Sequence, residues 1–151
     1  MQAISESLNI RPFRNEDEAA VIALWERAFP NEPPWNEPAD LIRRKLAVQK
    51  ELFFVCVSEE RIVGTVMAGF DGVRGWVHKV AAHPDCKRHG IATRLMRAAE
   101  QGLEALGCRK LNLQVRVDNT SAIEFYKSAG YVVEERVSLS KRLGPAEEGG
   151  R

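Results

Sequence analysis

The chain has 151 residues, of which 44% are hydrophobic and 28% are charged. This length and composition are those of one globular domain with a core of its own. The formal net charge is only +1, which gives no basic field for nucleic acid, and no apolar run approaches the ~20 residues that span a bilayer. We therefore expect neither a nucleic-acid partner nor a membrane association. Three cysteines without metal-ligand spacing predict a reduced, cytoplasmic protein without a metal site.

The N-terminal part of the chain predicts one strand and two helices. The strand covers 8–13. Asn15, with Glu18 three residues later, is typical of a capping box at the start of the first helix, and the proline-rich segment 30–34 ends that helix. Pro38 favours the start of the second helix, because the missing N–H of proline costs nothing in a first turn.

The middle of the chain predicts a meander of three strands. Runs rich in β-branched and aromatic residues cover 52–57, 62–70 and 75–82. Asp71-Gly72, between the last two runs, is typical of a hairpin turn. Since no helical pattern separates these runs, we expect the neighbouring strands to be antiparallel.

The C-terminal part predicts alternating helices and strands. A long amphipathic helix covers 89–106 and ends at Gly107. The runs 109–117 and 131–140 are strand-like, and a helix over 120–129 lies between them.

This order of elements predicts a mixed α/β (α+β) fold with a mainly antiparallel central sheet flanked by helices. We expect 1–143 to form a single domain and 144–151 to be a polar, disordered tail.

A short basic loop before the long helix predicts an anion site. It reads Lys87-Arg88-His89-Gly90. A helix start of this kind aims unpaired backbone N–H groups and the positive end of the helix dipole at one point, where a phosphate or pyrophosphate binds well. Gly90 has no Cβ, so a ligand can approach the backbone closely. By itself the loop is also compatible with an ordinary solvated turn.

A second stretch, from Asn119 to Tyr131, reads N-T-S-A-I-E-F-Y-K-S-A-G-Y. The two stretches together resemble the GNAT superfamily of acetyl-CoA-dependent N-acetyltransferases. Its loop signature, Arg/Gln-x-x-Gly-x-Gly/Ala, is met at Gly90 and Ala92, with Lys87 as a mild departure. Its later signature is met by Asn119, Ala122, Phe125, Tyr126, Gly130 and Tyr131. The P-W-N and G-F-D-G-x-R-G runs resemble, more narrowly, the YpeA-like branch of the superfamily.

The resemblance implies the GNAT acyl-CoA N-acyltransferase fold and an enzyme that moves acetyl from acetyl-CoA to a primary amine. Transfer would be direct, in a ternary complex, without a metal or a covalent acyl-enzyme. Dimers are common in the superfamily, so a homodimer is compatible with the resemblance. The amine acceptor stays unidentified.

Two alternative functions stay open. One is a non-catalytic acyl-CoA-binding sensor or subunit. The other is an acetyltransferase of protein N-termini or lysines. Enzymes that acetylate ribosomal-protein N-termini share the V-R-x-x-N run but carry Glu where this chain has Gln114, and this difference weakens that alternative.

The resemblance also implies roles for individual residues. Tyr126 would be catalytic, because a phenol of pKa ~10 can donate a proton or a hydrogen bond to a leaving thiolate of pKa ~8.5. Asn119, which also suits a helix N-cap, would contact the cofactor. The other cofactor-binding residues lie on the strand before the loop and at the helix start: Val80, Ala81, Ala82, Lys87, Arg88, His89, Gly90, Ile91, Ala92 and Thr93. An amide of the first three would polarise the acetyl carbonyl.

The acceptor side is predicted from loop residues and one strand residue. These candidates are Trp35, Asn36, Asp71, Arg74 and His78. Trp35 could equally cap the core, and Asp71 and Arg74 could simply form a turn. A general base, acting directly or through water, is sought at His78 or Glu37, and the unperturbed pKa of histidine suits that task.

Overall fold

The computed structural model describes residues 7–86 and 89–144. The chain divides into two compact units, one ending at Leu113 and the other beginning at Gln114. Within the described residues, the first unit carries a five-stranded sheet and three α-helices, and the second carries a single α-helix.

The elements of the first unit agree closely with the predicted order. They are β1 (Asn9–Pro12), α1 (Glu18–Ala28), α2 (Pro38–Leu46), β2 (Phe53–Ser58), β3 (Arg61–Phe70), β4 (Gly75–Ala82), α3 (Ile91–Ala105) and β5 (Leu111–Asn112). The strands lie in the order β1-β2-β3-β4-β5. All neighbours are antiparallel except β4 and β5, which are parallel. The predicted mixed, mainly antiparallel sheet is therefore confirmed.

The core of the first unit forms where the indole ring of Trp25, on α1, meets the rings of Phe13 and Phe53 beside the sheet. The ring of Phe53 stacks on Phe13, with centroids 4.5 Å apart, and on Trp25, with centroids 6.3 Å apart. All three side chains are buried. Their stacking joins the start of β2 to the buried face of α1 and anchors that helix to the sheet.

Helix α3 packs with its apolar stripe against the sheet. The buried residues of this stripe are Ile91, Leu95, Met96, Ala99 and Leu103. Two apolar residues of the helix lie outside this stripe: Ala92 is only half-buried, and Leu106 is 44% exposed. The contact of Ile91 and Leu95 with Gly64 on β3 sets this rotation of the helix.

The predicted capping box at the start of α1 is wrong. In the described structure, Asn15 makes no side-chain cap bond. Instead the carboxylate of Asp17 accepts the N–H of Arg14 at 2.8 Å and the guanidinium of Arg11 at 2.7 and 3.0 Å. The hydrogen bond from Arg11 holds the pKa of Asp17 below its usual value. Arg11 lies on β1, so this interaction depends on how the strand meets the helix.

The helix of the second unit, α4 (Thr120–Ser128), begins at the predicted residue and ends one residue before the predicted end. The side-chain oxygen of Asn119 accepts the N–H of Ala122 at 3.2 Å, which confirms the predicted N-cap. Gly130 has a φ of 98°, and the N–H of Tyr131 donates to the carbonyl of Tyr126 at 2.9 Å. A left-handed glycine with a bond back to the last turn is a common helix C-terminus.

The two C-terminal strand predictions are wrong. Of 109–117, only Leu111–Asn112 forms a ladder, and the described chain has no strand over 131–140. Every residue from 132 to 140 is exposed, including Val137 and Leu139 at 83% and 89%. Strand-favouring residues suit a half-buried surface beside a partner strand, and composition alone does not supply that partner.

Candidate functional site

Strand β4 has an open edge toward its C-terminal end. Strand β5 pairs with β4 only at Gly75 and Trp76, whereas β3 pairs with β4 as far as Ala82. Within the described residues, 77–82 therefore have no ladder partner on the β5 side. The predicted cofactor-binding residues 80–82 lie on this edge, where backbone groups are available to an extended ligand.

A β-bulge interrupts β4 immediately before these residues. The ladder between β3 and β4 shifts register between Thr65 and Met67, so Lys79 and Val80 together lie opposite Val66. Lys79 has a φ of 55°, in the left-handed region that non-glycine residues seldom occupy. The bulge turns the backbone of β4 at the start of the predicted cofactor segment.

Two hydrogen bonds in the core hold the bulge. The hydroxyl of Thr65, which is fully buried, donates to the carbonyl of Lys79 at 2.8 Å. The same hydroxyl accepts the indole N–H of Trp25 at 2.9 Å. Helix α1 therefore supports the backbone of β4 through one side chain of β3.

The N-terminus of α3 lies over the C-terminal end of β4. A Cβ on Gly64 would lie 2.5 Å from Cγ2 of Ile91 and 3.0 Å from the carbonyl oxygen of Ala81, so the first turn of α3 contacts the β3–β4 pair directly. Gly90 is the N-cap, with a φ of 75°, and no described side chain caps this helix. The first turn therefore presents unpaired N–H groups beside the open edge of β4.

The structure brings most of the predicted cofactor-binding residues to this place. Residues 80–82 and 89–93 belong to the first unit and meet where α3 begins. Lys87 and Arg88 lie outside the described residues. Asn119 and Tyr126 belong to the second unit.

Tyr126 is half-buried in the second unit. Its ring meets the rings of Phe125 and Tyr131 edge-on, with centroids 5.0 and 5.7 Å away. Burial raises the pKa of Tyr126 to about 12, because a phenolate loses hydration there. The hydroxyl is therefore protonated, and able to donate a hydrogen bond, throughout the physiological pH range.

The predicted acceptor residues Trp35 and Asn36 lie in a 3-10 turn, Pro34–Asn36, between α1 and α2. Both are half-buried. The amide of Asn36 donates to Oε1 of Glu32 at 2.8 Å. Glu37, considered as a base, caps α2, since its carboxylate accepts the N–H of Asp40 at 2.8 Å. That carboxylate has a structural role in this structure.

Asp71 and Arg74 lie in the turn between β3 and β4. The carboxylate of Asp71 accepts the N–H groups of Val73 and Arg74, both at 2.8 Å, and these bonds lower the pKa of Asp71. The predicted hairpin turn is present, and its side-chain bonds stabilise it. The turn lies at the opposite end of β4 from Ala82, so the structure does not bring it to the open edge.

His78 lies on β4 next to the bulge. Although the residue is exposed, partial desolvation of its ring lowers the pKa of His78, and the positive charges of Lys45 and Lys79 lower it further. The imidazole is consequently neutral at pH 7, as a base must be.

Sequence reasoning missed three residues around the bulge: Thr65, Lys79 and Glu32. Nζ of Lys79 lies 2.6 Å from Oε1 of Glu32, a pair separated by 47 positions in the chain. No local spacing indicates such a contact, because it depends on the packing of α1 against β4.

Together, the mixed sheet and the opened fourth strand beside an uncapped helix define an α/β protein with the GNAT acyltransferase fold. Residues 18–131 match the Acetyltransferase (GNAT) family. The chain belongs to this family and is an acetyltransferase. No helix of the described stretches is long and apolar enough to cross a membrane.

Known proteins agree with this assignment. An acetyltransferase of Pectobacterium atrosepticum is 43% identical over 136 residues, which are 90% of this chain and 96% of the relative. Ard1 from Thermoplasma volcanium has a similar fold, with a TM-score of 0.72 at 22% identity, covering 85% of this chain and 84% of that one. So does the aminoglycoside N-acetyltransferase AAC(6')-Iy, with a TM-score of 0.75 at 17% identity, covering 91% and 99%.

Proposed function

We propose that the protein transfers acetyl from acetyl-CoA to a primary amine by direct attack in a ternary complex. The observation that carries this proposal is the uncapped N-terminus of α3 beside the open edge of β4. A helix start binds phosphates, and an unpaired strand edge binds an extended amide-containing chain. Acetyl-CoA contains both groups, a pyrophosphate and a pantetheine arm.

The cofactor would lie along the surface from α3 to β4. The amides of 89–93 would hold the pyrophosphate, with Lys87 and Arg88 adding positive charge. The backbone of 80–82 would bind the pantetheine arm, and one amide of this segment would stabilise the oxyanion that forms at the thioester carbonyl. We also assign a cofactor contact to Asn119, in addition to its role as a helix cap.

Acetyl transfer requires one bond to form and one to break. The amine nitrogen attacks the thioester carbonyl carbon, and the carbon–sulfur bond then breaks. The departing thiolate accepts a hydrogen bond from Tyr126. Full proton transfer is the less favourable route, because the phenol pKa of about 12 lies well above a thiol pKa of ~8.5. The raised pKa therefore makes Tyr126 a hydrogen-bond donor to the sulfur.

The amine must lose a proton before or during its attack. His78 is our candidate base, directly or through water, because its lowered pKa keeps the ring neutral near pH 7. Trp35 and Asn36, in the turn between α1 and α2, would contact the acceptor. We place the reaction in the cytoplasm, since Cys56, Cys86 and Cys108 are free thiols.

Calorimetry with acetyl-CoA, and with CoA and ATP as controls, tests the cofactor site. We expect micromolar binding that selects CoA derivatives over ATP. Equal binding of ATP, or no binding of acetyl-CoA, would overturn the assignment of α3 and β4.

Tyr126→Phe tests the catalytic step. We expect kcat to fall about 100-fold, the scale of a lost transition-state hydrogen bond, while the Kd for acetyl-CoA changes less than about twofold. Tyr131→Phe, a phenol removed from the same unit, is the matched control and should keep its turnover. Unchanged kcat in Tyr126→Phe would exclude a role for its hydroxyl.

A further inference from the structure

The side chain of Lys79 is held in an aromatic and acidic environment. Its Nζ lies 4.4 Å from the ring centroid of Phe29 and 5.4 Å from that of Trp25, both of them contributed by or adjacent to α1. Only 10% of the side chain is exposed. An ammonium group so poorly hydrated needs an anionic partner.

Glu32 is that partner, and it also binds Asn36 in the Pro34–Asn36 turn. Its Oε1 accepts from Nζ of Lys79 at 2.6 Å and from Nδ2 of Asn36 at 2.8 Å. One carboxylate oxygen therefore joins the β4 bulge to the Pro34–Asn36 turn. The side chain of Glu32 is 33% exposed, so this joint lies at the protein surface.

Lys79, the partner of Glu32 on the sheet, is held rigidly. The carbonyl of Lys79 accepts the Thr65 hydroxyl in the core, and its ammonium is fixed by the two aromatic rings. On the other side is a short connection that contains three prolines, Pro30, Pro33 and Pro34. The connection between α1 and α2 contains only one 3-10 turn and no strand or α-helix. The carboxylate of Glu32 therefore ties this connection to the rigid bulge.

We propose that Glu32 and Lys79 form a clamp of positioning residues that holds the Pro34–Asn36 turn in register with the β4 bulge and thereby sets the KM for the amine acceptor. This inference rests on the proposed function, which places the acceptor against Trp35 and Asn36 and the thioester carbonyl against 80–82. The clamp neutralises its own two charges, so it orients the turn and does not itself bind a charged substrate.

Steady-state kinetics at saturating acetyl-CoA test the clamp. Spermidine, L-lysine, kanamycin A and a peptide with an N-terminal alanine serve as amine probes, with thiol release as the signal. We expect Glu32→Gln and Lys79→Met each to raise the amine KM at least about fivefold, with kcat and the Kd for acetyl-CoA within about twofold. Glu26→Gln, an exposed carboxylate of α1, is the matched control and should match the wild type.

The double variant shows whether Glu32 and Lys79 act as one unit or independently. If the residues act as a unit, Glu32→Gln combined with Lys79→Met raises KM no further than either change alone. Additive effects, or a KM in Glu32→Gln equal to that in Glu26→Gln, would overturn the proposal.

A spectroscopic measurement tests the clamp in the absence of any amine acceptor. In protein labelled with 5-fluorotryptophan, the ¹⁹F signal of Trp35, assigned through Trp35→Phe, should shift and broaden in Glu32→Gln and stay unchanged in Glu26→Gln. An unchanged Trp35 signal in Glu32→Gln refutes the clamp. Failure of all four amines in a wild type that binds acetyl-CoA instead counts against the proposed acceptor class.

Discussion

Gly64→Ala is expected to weaken both the fold and the proposed cofactor site, because Gly64 is where α3 packs on the sheet. The added Cβ would lie 2.5 Å from Cγ2 of Ile91, 2.8 Å from Cδ1 of Leu95 and 3.0 Å from the carbonyl oxygen of Ala81. Carbon atoms prefer a separation of about 3.5–4.0 Å. The first turn of α3 must therefore move outward by about 1 Å, since the Ala81 carbonyl belongs to the sheet.

The magnitude follows from two opposing effects. Overpacking a well-packed core costs about 1–3 kcal/mol, and replacing glycine returns about 0.4–1 kcal/mol by restricting the unfolded chain. The net loss in the free energy of unfolding is then about 1–2 kcal/mol, or about 3–6 °C in Tm for a domain of this size. Displacement of the first-turn amides should also raise the Kd for acetyl-CoA about three- to tenfold, within the range of helix-terminus interactions.

Urea denaturation and calorimetry with acetyl-CoA measure the two effects. The matched control is Gly69→Ala on the same strand, where the nearest atoms, Oε1 of Gln49 and Nζ of Lys45, would lie at 3.5 Å, an ordinary contact. It should keep cofactor affinity and gain about 0.4–1 kcal/mol of stability, because it restricts the unfolded chain without a clash. Equal stability of the two alanine variants would refute the packing argument. An unchanged Kd for acetyl-CoA in Gly64→Ala would show that the first turn of α3 does not bind the cofactor.

Two further predictions concern buried polar contacts. Thr65→Val leaves the indole N–H of Trp25 and the carbonyl of Lys79 without their hydroxyl partner. Urea denaturation should therefore show a loss of about 2 kcal/mol in the free energy of unfolding. An unchanged midpoint would show that the hydroxyl does not support the bulge. Asp17→Asn should cost about 1–2 kcal/mol at pH 7, where the carboxylate accepts from Arg11. Because the pKa of Asp17 is lowered on folding, its contribution is present above ~3.9 and disappears as the pH falls through the folded pKa. The stability difference between wild type and variant should therefore shrink as the pH falls below ~3.9 and through the lowered pKa of Asp17. Equal stability at pH 7 would contradict the reasoning.

Local spacing in the sequence was enough to predict the elements that depend on neighbouring residues. Asn119 caps α4 as predicted, and the glycines at the ends of the long helix, Gly90 and Gly107, both have a positive φ. Strands β1 to β4 have bounds within one residue of those predicted. Caps, turns and apolar periodicity act over a few residues, so they can be recognised along the chain.

The sequence by itself thus determined the family signature, the order of the elements from β1 to α4 and the glycine at the start of the long helix. Only the tertiary structure decided where the pairing of β4 with β5 ends. It also decided the conformation of the bulge at Lys79 and the pairing of Lys79 with Glu32. Lys79 and Glu32 are 47 positions apart, and the carboxylate of Asp17 is bound by an arginine on a different element. Contacts of this kind depend on the register of strands and the rotation of helices, which long-range packing selects and which no local pattern encodes.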